Sequence, residues 1–158
     1  MAGPNAASAS DAQLCDSPSQ CQLGSMFTAC WNVPSSTAVM GSSLGGLVSM
    51  SLAETYPDVF FRVGALSSTF GWGAIGANNP TLLSIIRQSS FKNLVMYIDS
   101  GSPKDSHQVT RLMRDHLLNK GYLPTRNLQH WTRRGAEHDE KAWRDRLTRP
   151  LQFLLAWP

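Results

Sequence analysis

The sequence has no Lys or Arg before Arg62. All 14 basic residues follow that point, and the late ones (Arg133, Arg134, Lys141, Arg144, Arg146, Arg149) are interleaved with Glu137, Asp139, Glu140 and Asp145. A nucleic-acid binder concentrates its cations on one face or in one run; alternating signs read instead as a solvated helix surface, so no nucleic-acid partner is expected. No apolar run approaches the ~18 residues that a membrane span requires. The first residues lack both a basic stretch and a sustained apolar one, so no secretory signal is recognisable, and a cytoplasmic location is the default expectation. Cysteine is scarce: Cys15, Cys21 and Cys30 all lie in the first 30 residues. An odd number of thiols with no nearby His makes neither a zinc site nor a complete disulfide framework. No metal or organic cofactor is expected, and the redox compartment is left open.

What is present suits a globular chain. The 158 residues are 42% hydrophobic and 16% charged, which is enough for one domain with a core. Two regions differ in character. Residues 1–34 are rich in Ala, Ser, Gln, Pro and Cys, with Asp11 and Asp16 as the charges, and read as an atypical, loop-like segment in which Met26 to Val33 has the makings of a short strand. Residues 35–158 form the patterned unit.

Within that unit, Thr37 to Met40 is a short apolar run that reads as a buried strand. A helix from Gly45 to Glu54 follows, ended by Pro57. Arg62 to Leu66 is a second strand, and residues 67–80, with Gly71, Gly73, Gly76 and Pro80, form a long loop. Thr81 to Gln88 reads as a helix, and Leu94 to Ile98 as a third strand, apolar throughout as a strand covered on both faces should be. Val109, Leu112, Met113, His116 and Leu117 fall at helical spacing, with Ser106 and Gly121 as caps. Leu128 to Thr132 is a fourth strand. A last helix carries Trp143, Leu147, Leu151, Leu154 and Leu155, and Pro150 inside it predicts a break. Alternating strands and helices predict an α/β fold with a parallel sheet and right-handed crossovers. Ligands then bind beyond the carboxyl ends of the strands, which places the chemistry at residues 41–45, 67–72, 99–107 and 133–140.

Gly41-Ser42-Ser43-Leu44-Gly45 fits G-x-S-x-G. Alone the match is weak, arising by chance in roughly one chain of this length in twenty. Its setting strengthens it: an apolar strand precedes it and an amphipathic helix follows, as in a nucleophile elbow. Glycines at 41 and 45 remove clashes between strand and helix, and the Leu44 N–H points, at the positive end of the helix, to where an oxyanion would form. The bland alternative is a glycine-rich turn in which Ser43 only caps the helix.

A serine hydroxyl needs a base. Of the four histidines, His116 lies on a helix stripe, His130 within a strand, and His107 at a helix start beside Asp105. His138 sits in the turn after the last strand, which emerges on the elbow's edge of the sheet, and is the preferred base. The base needs a carboxylate. Asp105 follows the third strand after a glycine turn and is preferred to Asp99, at the strand end, while Asp139 suits a helix cap. The order Ser, Asp, His is that of α/β-hydrolases.

From about Thr37 to Trp157 the chain resembles the esterase family of α/β-hydrolases that includes esterase D, enterobactin-esterase and feruloyl-esterase-like enzymes. The residues that carry the resemblance are Met40 to Gly46, Tyr56 to Phe60, Gly64 to Phe70, Asp99-Ser100-Gly101 with Asp105, and Gly135 to His138 with Trp143 and Leu147. The resemblance implies hydrolysis of carboxylic esters through an acyl-enzyme, with Ser43, Asp105 and His138 as its triad. Lys104 stands where the family often has an acidic residue. The family's early strands, and the loop that supplies a second oxyanion donor, have no counterpart in residues 1–34. A partial α/β-hydrolase fold is therefore expected, truncated or rearranged at its front. Its elbow strand would be either an edge that invites self-association or paired with residues 26–33.

On this reading Leu44 supplies one oxyanion donor, and Phe70 and Trp72 either line an acyl or aromatic pocket for a small-molecule ester or pack on the loop and core. The rival is an impaired hydrolase or pseudoenzyme with an interaction role. A nucleotide-binding α/β domain fits poorly, because Gly41 to Gly46 has neither the G-x-G-x-x-G order nor a P-loop Lys.

Overall fold

The computed structural model describes residues 37–72 and 81–156. Four parallel strands stand in sequential order: β1 (Ala38–Ser42), β2 (Arg62–Leu66), β3 (Val95–Ser102) and β4 (Leu128–Arg134). Helices α1 (Leu44–Thr55), α2 (Leu82–Gln88) and α3 (His107–Lys120) make the three crossovers, and α4 (Glu140–Arg144) and α5 (Thr148–Leu155) follow β4. The fold is α/β, as expected. Among the described residues β1 forms one end of the sheet. Residues 26–33, the other suggested strand, lie outside the described residues, as do the cysteines and Gly73 to Pro80.

Period-two alternation divides each strand between two cores. Val63, Ala65, Met96 and Ile98 face Met50 and Ala53 of α1, Ile86 of α2, and Met113 and Leu117 of α3. Val95 and Tyr97 face the other way, onto Leu154 of α5 and the partly buried Met40 and Phe153. Three crossovers made in one direction with one hand must put their helices on one face, so the second face falls to the chain's last helix. Gly64 is small for a reason: a Cβ there would meet Met40 Cγ at 2.6 Å and Leu154 Cδ1 at 3.1 Å.

Three local expectations need correcting. β3 runs four residues past Ile98, to Ser102, because Ser100 to Ser102 stay paired with Thr132 to Arg134 of β4. Leu112 is exposed, as are Leu147, Leu151 and Leu155; α3 buries Thr110, Met113 and Leu117, and α5 buries Pro150 and Leu154. The expected break in the last helix falls at residues 145–147, which leaves Pro150 in the first turn of α5, where a missing N–H costs nothing. The caps follow their chemistry. Asp139 accepts the Ala142 N–H at 2.7 Å, and Gly121 ends α3 at φ 105°. Ser106 occupies the cap position of α3 without a side-chain capping bond.

Candidate active site

The elbow comes first in the chain. β1 must reverse into α1 at once, and the turn places Ser43 at φ 54°, ψ −120°, a conformation that side chains rarely adopt. Such strain costs about 1–3 kcal/mol and persists where neighbours enforce it. Here the Ser43 N–H is held by the Leu66 carbonyl at 2.9 Å, and the Ser43 carbonyl accepts the Leu47 N–H at 3.2 Å. A Cβ on Gly41 would lie 2.5 Å from Gly45 C, so Gly41 is required by close approach. Gly45 is different: a Cβ there meets nothing within 4 Å among the described residues, so the clash expected at that position is not found. Leu44 is the first residue of α1, and its N–H has no carbonyl one turn earlier to bond.

His138 has the longest distance to cover. β4 stands three strands from β1, roughly 14 Å at the usual spacing of ~4.8 Å. The loop after β4 therefore folds back over the end of β3. Gly101 permits the crossing, since a Cβ there would sit 2.1 Å from the Ala136 carbonyl oxygen. The Gly135 N–H to Ser102 carbonyl bond, 2.7 Å, pins the loop. His138 Nε2 then lies 2.8 Å from Ser43 Oγ, and Nδ1 lies 2.7 Å from Asp105 Oδ1. The His138 side chain is about one-third exposed and that of Asp105 is fully buried. The three loops thus bring Ser43, Asp105 and His138 into one hydrogen-bonded line at the carboxyl edge of the sheet.

Asp105 is held on every side. Its Oδ2 accepts from Ser67 Oγ and from the Gly101 N–H, both at 2.5 Å, and its Oδ1 accepts the Ser106 N–H at 2.6 Å. Burial works to raise its pKa, but the bonds from Ser67, His138, Gly101 and Ser106 outweigh it and hold the carboxyl below its ordinary value. An ionised Asp105 can only accept, so Nδ1 of His138 carries the proton and Nε2 of the neutral ring accepts from Ser43.

Behind Asp105 lies a group that the sequence reading assigned to the solvated surface. The Arg146 side chain is 1% exposed, not solvated. Its Nε is 3.1 Å from both Asp99 oxygens, and its Nη2 donates to Ser67 Oγ. Asp99, the competing acid, is fully buried inside β3; Tyr97 Oη donates to it at 3.0 Å. Burial pushes Asp99 up to about 6 against the opposing pull of Arg146. It is turned toward Arg146 and not toward His138. Ser67 and Gly101 were also missed as site residues. Both lie inside the windows expected to carry chemistry. The signal for Arg146 was its spacing, three residues after Trp143 and four before the buried Pro150.

The remaining candidates separate cleanly. His130 lies in β4, and burial pushes it down to about 4, with Arg114 adding to the effect. His116 is half-buried on α3, and His107 begins that helix. Phe70, a candidate for the substrate pocket, is fully buried in the core that α1 to α3 cover, because the turn after β2 directs it inward. Trp72 is 58% exposed. Trp143 meets the His138 ring edge-on, with centroids 5.2 Å apart.

Comparison with known proteins gives a consistent result. Residues 11–154 match the family model Esterase, described as "Putative esterase", and the match takes in most of the atypical first segment. A curated relative, protein YbbA of Bacillus subtilis (strain 168), described as uncharacterized, is 27% identical over 132 residues, covering 78% of this chain and 52% of its own length. Among solved structures, the enterobactin esterase FES from Shigella flexneri superposes with a TM-score of 0.68 at 21% identity, covering 85% of this chain and 35% of that one. A ferulic acid esterase gives 0.65 at 18%, covering 78% and 52%. The S-formylglutathione hydrolase FrmB from Staphylococcus aureus gives 0.61 at 17%, covering 82% and 55%. The chain thus spans about half the length of the curated relative it matches. No helix among the described residues is long and apolar enough to cross a membrane.

Proposed function

The chain belongs to the Esterase family, and from that premise we propose that it is a serine hydrolase of small-molecule carboxylic esters, with residues 35–158 as the hydrolytic unit. The observation that carries this reading is the line from Ser43 Oγ through His138 to Asp105, with links of 2.8 and 2.7 Å, at the start of a helix. Proteins of similar fold bear names that share hydrolysis but differ in substrate, so they support the reaction class and leave the ester open.

The chemistry follows from the donors and acceptors. Ser43 Oγ attacks the ester carbonyl carbon as His138 Nε2 takes the hydroxyl proton. The carbonyl π-electrons move to oxygen, and the Leu44 N–H, with the positive end of α1 behind it, stabilises that negative charge. Collapse of the intermediate breaks the bond to the alcohol, which leaves with the proton from His138. Water then attacks the acyl-serine, again giving its proton to His138, and Ser43 recovers that proton as the acid leaves. Asp105 holds the ring and offsets its charge. Trp72, exposed beyond the end of β2, is the side chain we assign to contact an acyl or aromatic group.

Turnover of p-nitrophenyl acetate, with fluorophosphonate labelling alongside, tests the assignment. Hydrolysis and labelling are expected, and Ser43→Ala should lower turnover by ~1,000-fold or more and abolish the label. Turnover indifferent to that substitution would refute the nucleophile. A folded protein with neither turnover nor label would favour the impaired hydrolase with an interaction role.

A further inference from the structure

We propose that Arg146 is a positioning residue: anchored by Asp99, it forces the single proton of Ser67 onto Asp105 and so fixes how that carboxylate presents itself to His138. The role rests on the hydrolase function proposed above.

The hydrogen-bond directions follow from elementary chemistry. A guanidinium donates and cannot accept, so in the contact between Arg146 Nη2 and Ser67 Oγ the serine oxygen is the acceptor. A hydroxyl has one proton, and the 2.5 Å contact with Asp105 Oδ2 is where it goes. Ser67 therefore acts as a rotor with one permitted setting. Without Arg146 its hydroxyl could turn, and Asp105 would lose a directed donor. The same Nη2 stands 3.7 Å from Asp105 Oδ2, so the arginine also places a positive charge behind the carboxylate, on the side away from His138.

Asp99 explains why Arg146 stays in place. Both its oxygens are 3.1 Å from Nε, and Tyr97 Oη adds a third bond. The Arg146 and Asp99 side chains are each at most 1% exposed. A buried ion pair of this kind rarely adds stability over a well-packed apolar pair, because desolvation offsets its attraction. Its value here is geometric. The hydrogen-bond and ion-pair partners of Arg146 among the described residues are Asp99, Ser67 and Asp105, with Tyr97 bonded to Asp99 and His138 to Asp105 in one connected chain from β3 to the base, and Arg149 is a second cation near Tyr97.

The decisive variant is Ser67→Ala, which leaves the Arg146–Asp99 pair whole. With p-nitrophenyl acetate, kcat should fall about 10- to 100-fold, because a bond that orients the base's carboxylate is lost, with KM little changed. The acid limb of kcat/KM against pH should move to higher pH. With one donor fewer, the Asp105 carboxylate holds a positively charged partner more strongly. Arg146→Met should move the limb the same way, and Arg146→Lys, which keeps a cation, should move it less.

Wild-type kcat with an unmoved limb in Ser67→Ala overturns the proposal. A lower kcat with an unmoved limb also overturns it, since that marks a merely structural role. A wild-type protein without Ser43-dependent turnover would instead sink the hydrolase reading. The low-field proton resonance of His138 Nδ1–H, assigned by its loss in His138→Ala, then decides the inference by itself: it moves in Ser67→Ala if the rotor acts on Asp105, and stays if it does not.

Discussion

The two motif glycines should behave oppositely when replaced by alanine. At Gly41 the new methyl would lie 2.5 Å from Gly45 C, 2.6 Å from its oxygen and 2.9 Å from its Cα. Ordinary contacts for such a carbon begin near 3.4 Å. The start of α1 must therefore retreat by close to 1 Å, and backbone cannot rotate aside as a side chain can. Overpacking of this kind costs about 1–3 kcal/mol. With a urea m-value of ~1–3 kcal/mol/M, the unfolding midpoint should fall by about 1 M. The same retreat carries Ser43 away from His138, and a displacement near 1 Å costs roughly 100-fold in rate. At Gly45 a methyl meets nothing within 4 Å among the described residues, and its backbone is helical. Replacing a helical glycine with alanine gains about 0.5–1 kcal/mol, so Gly45→Ala should raise the midpoint. Urea unfolding of both variants, with p-nitrophenyl acetate turnover measured beside it, checks the pair. If Gly45→Ala destabilises as much as Gly41→Ala, the steric account of the elbow is wrong.

Two other outcomes follow from the same geometry. Gly101→Ala should lift the loop that carries His138 off the end of β3, because its methyl would fall 2.1 Å from the Ala136 oxygen and 2.9 Å from Asp105 Oδ2; about 100-fold lower kcat is expected, with fluorophosphonate labelling slowed in proportion. His130, pushed down to about 4 chiefly by burial, should stay neutral when an NMR titration reaches pH 5. Because its folded value lies below its unfolded one, the unfolded chain binds that proton first, and the contribution of His130 to stability is lost as pH falls from about 6.5 to about 4.

Much of the candidate site was legible because its signals are local. Gly41 and Ser43 lie within three residues of each other, between an apolar run and a helical stripe, and that pattern marks an elbow without knowledge of the rest. His138 could be placed beside Ser43 because a turn after the last strand of a parallel sheet must emerge on the elbow's edge. Asp105 was separated from Asp99 by a glycine turn, although the reason Asp99 faces elsewhere lay out of reach: its partner Arg146 is 47 residues away. Phe70 stood open between pocket and core, because an aromatic after a strand can turn inward or outward, and the choice depends on whether the helices leave a space beneath it.

Periodicity and chain order by themselves determined the α/β class, the parallel sheet, the edge where polar loops gather and the caps at Asp139 and Gly121, because each depends on contacts within a few residues or on the handedness of a crossover. Tertiary structure alone decided which cation is buried and what the glycines are for. Arg146 is one of many late basic residues by composition, and becomes distinct only when α4 and α5 fold it against β3. Gly101 has no evident purpose until a loop from the fourth strand crosses above it. Burial and close approach are properties of distant segments brought together, and no local pattern encodes them.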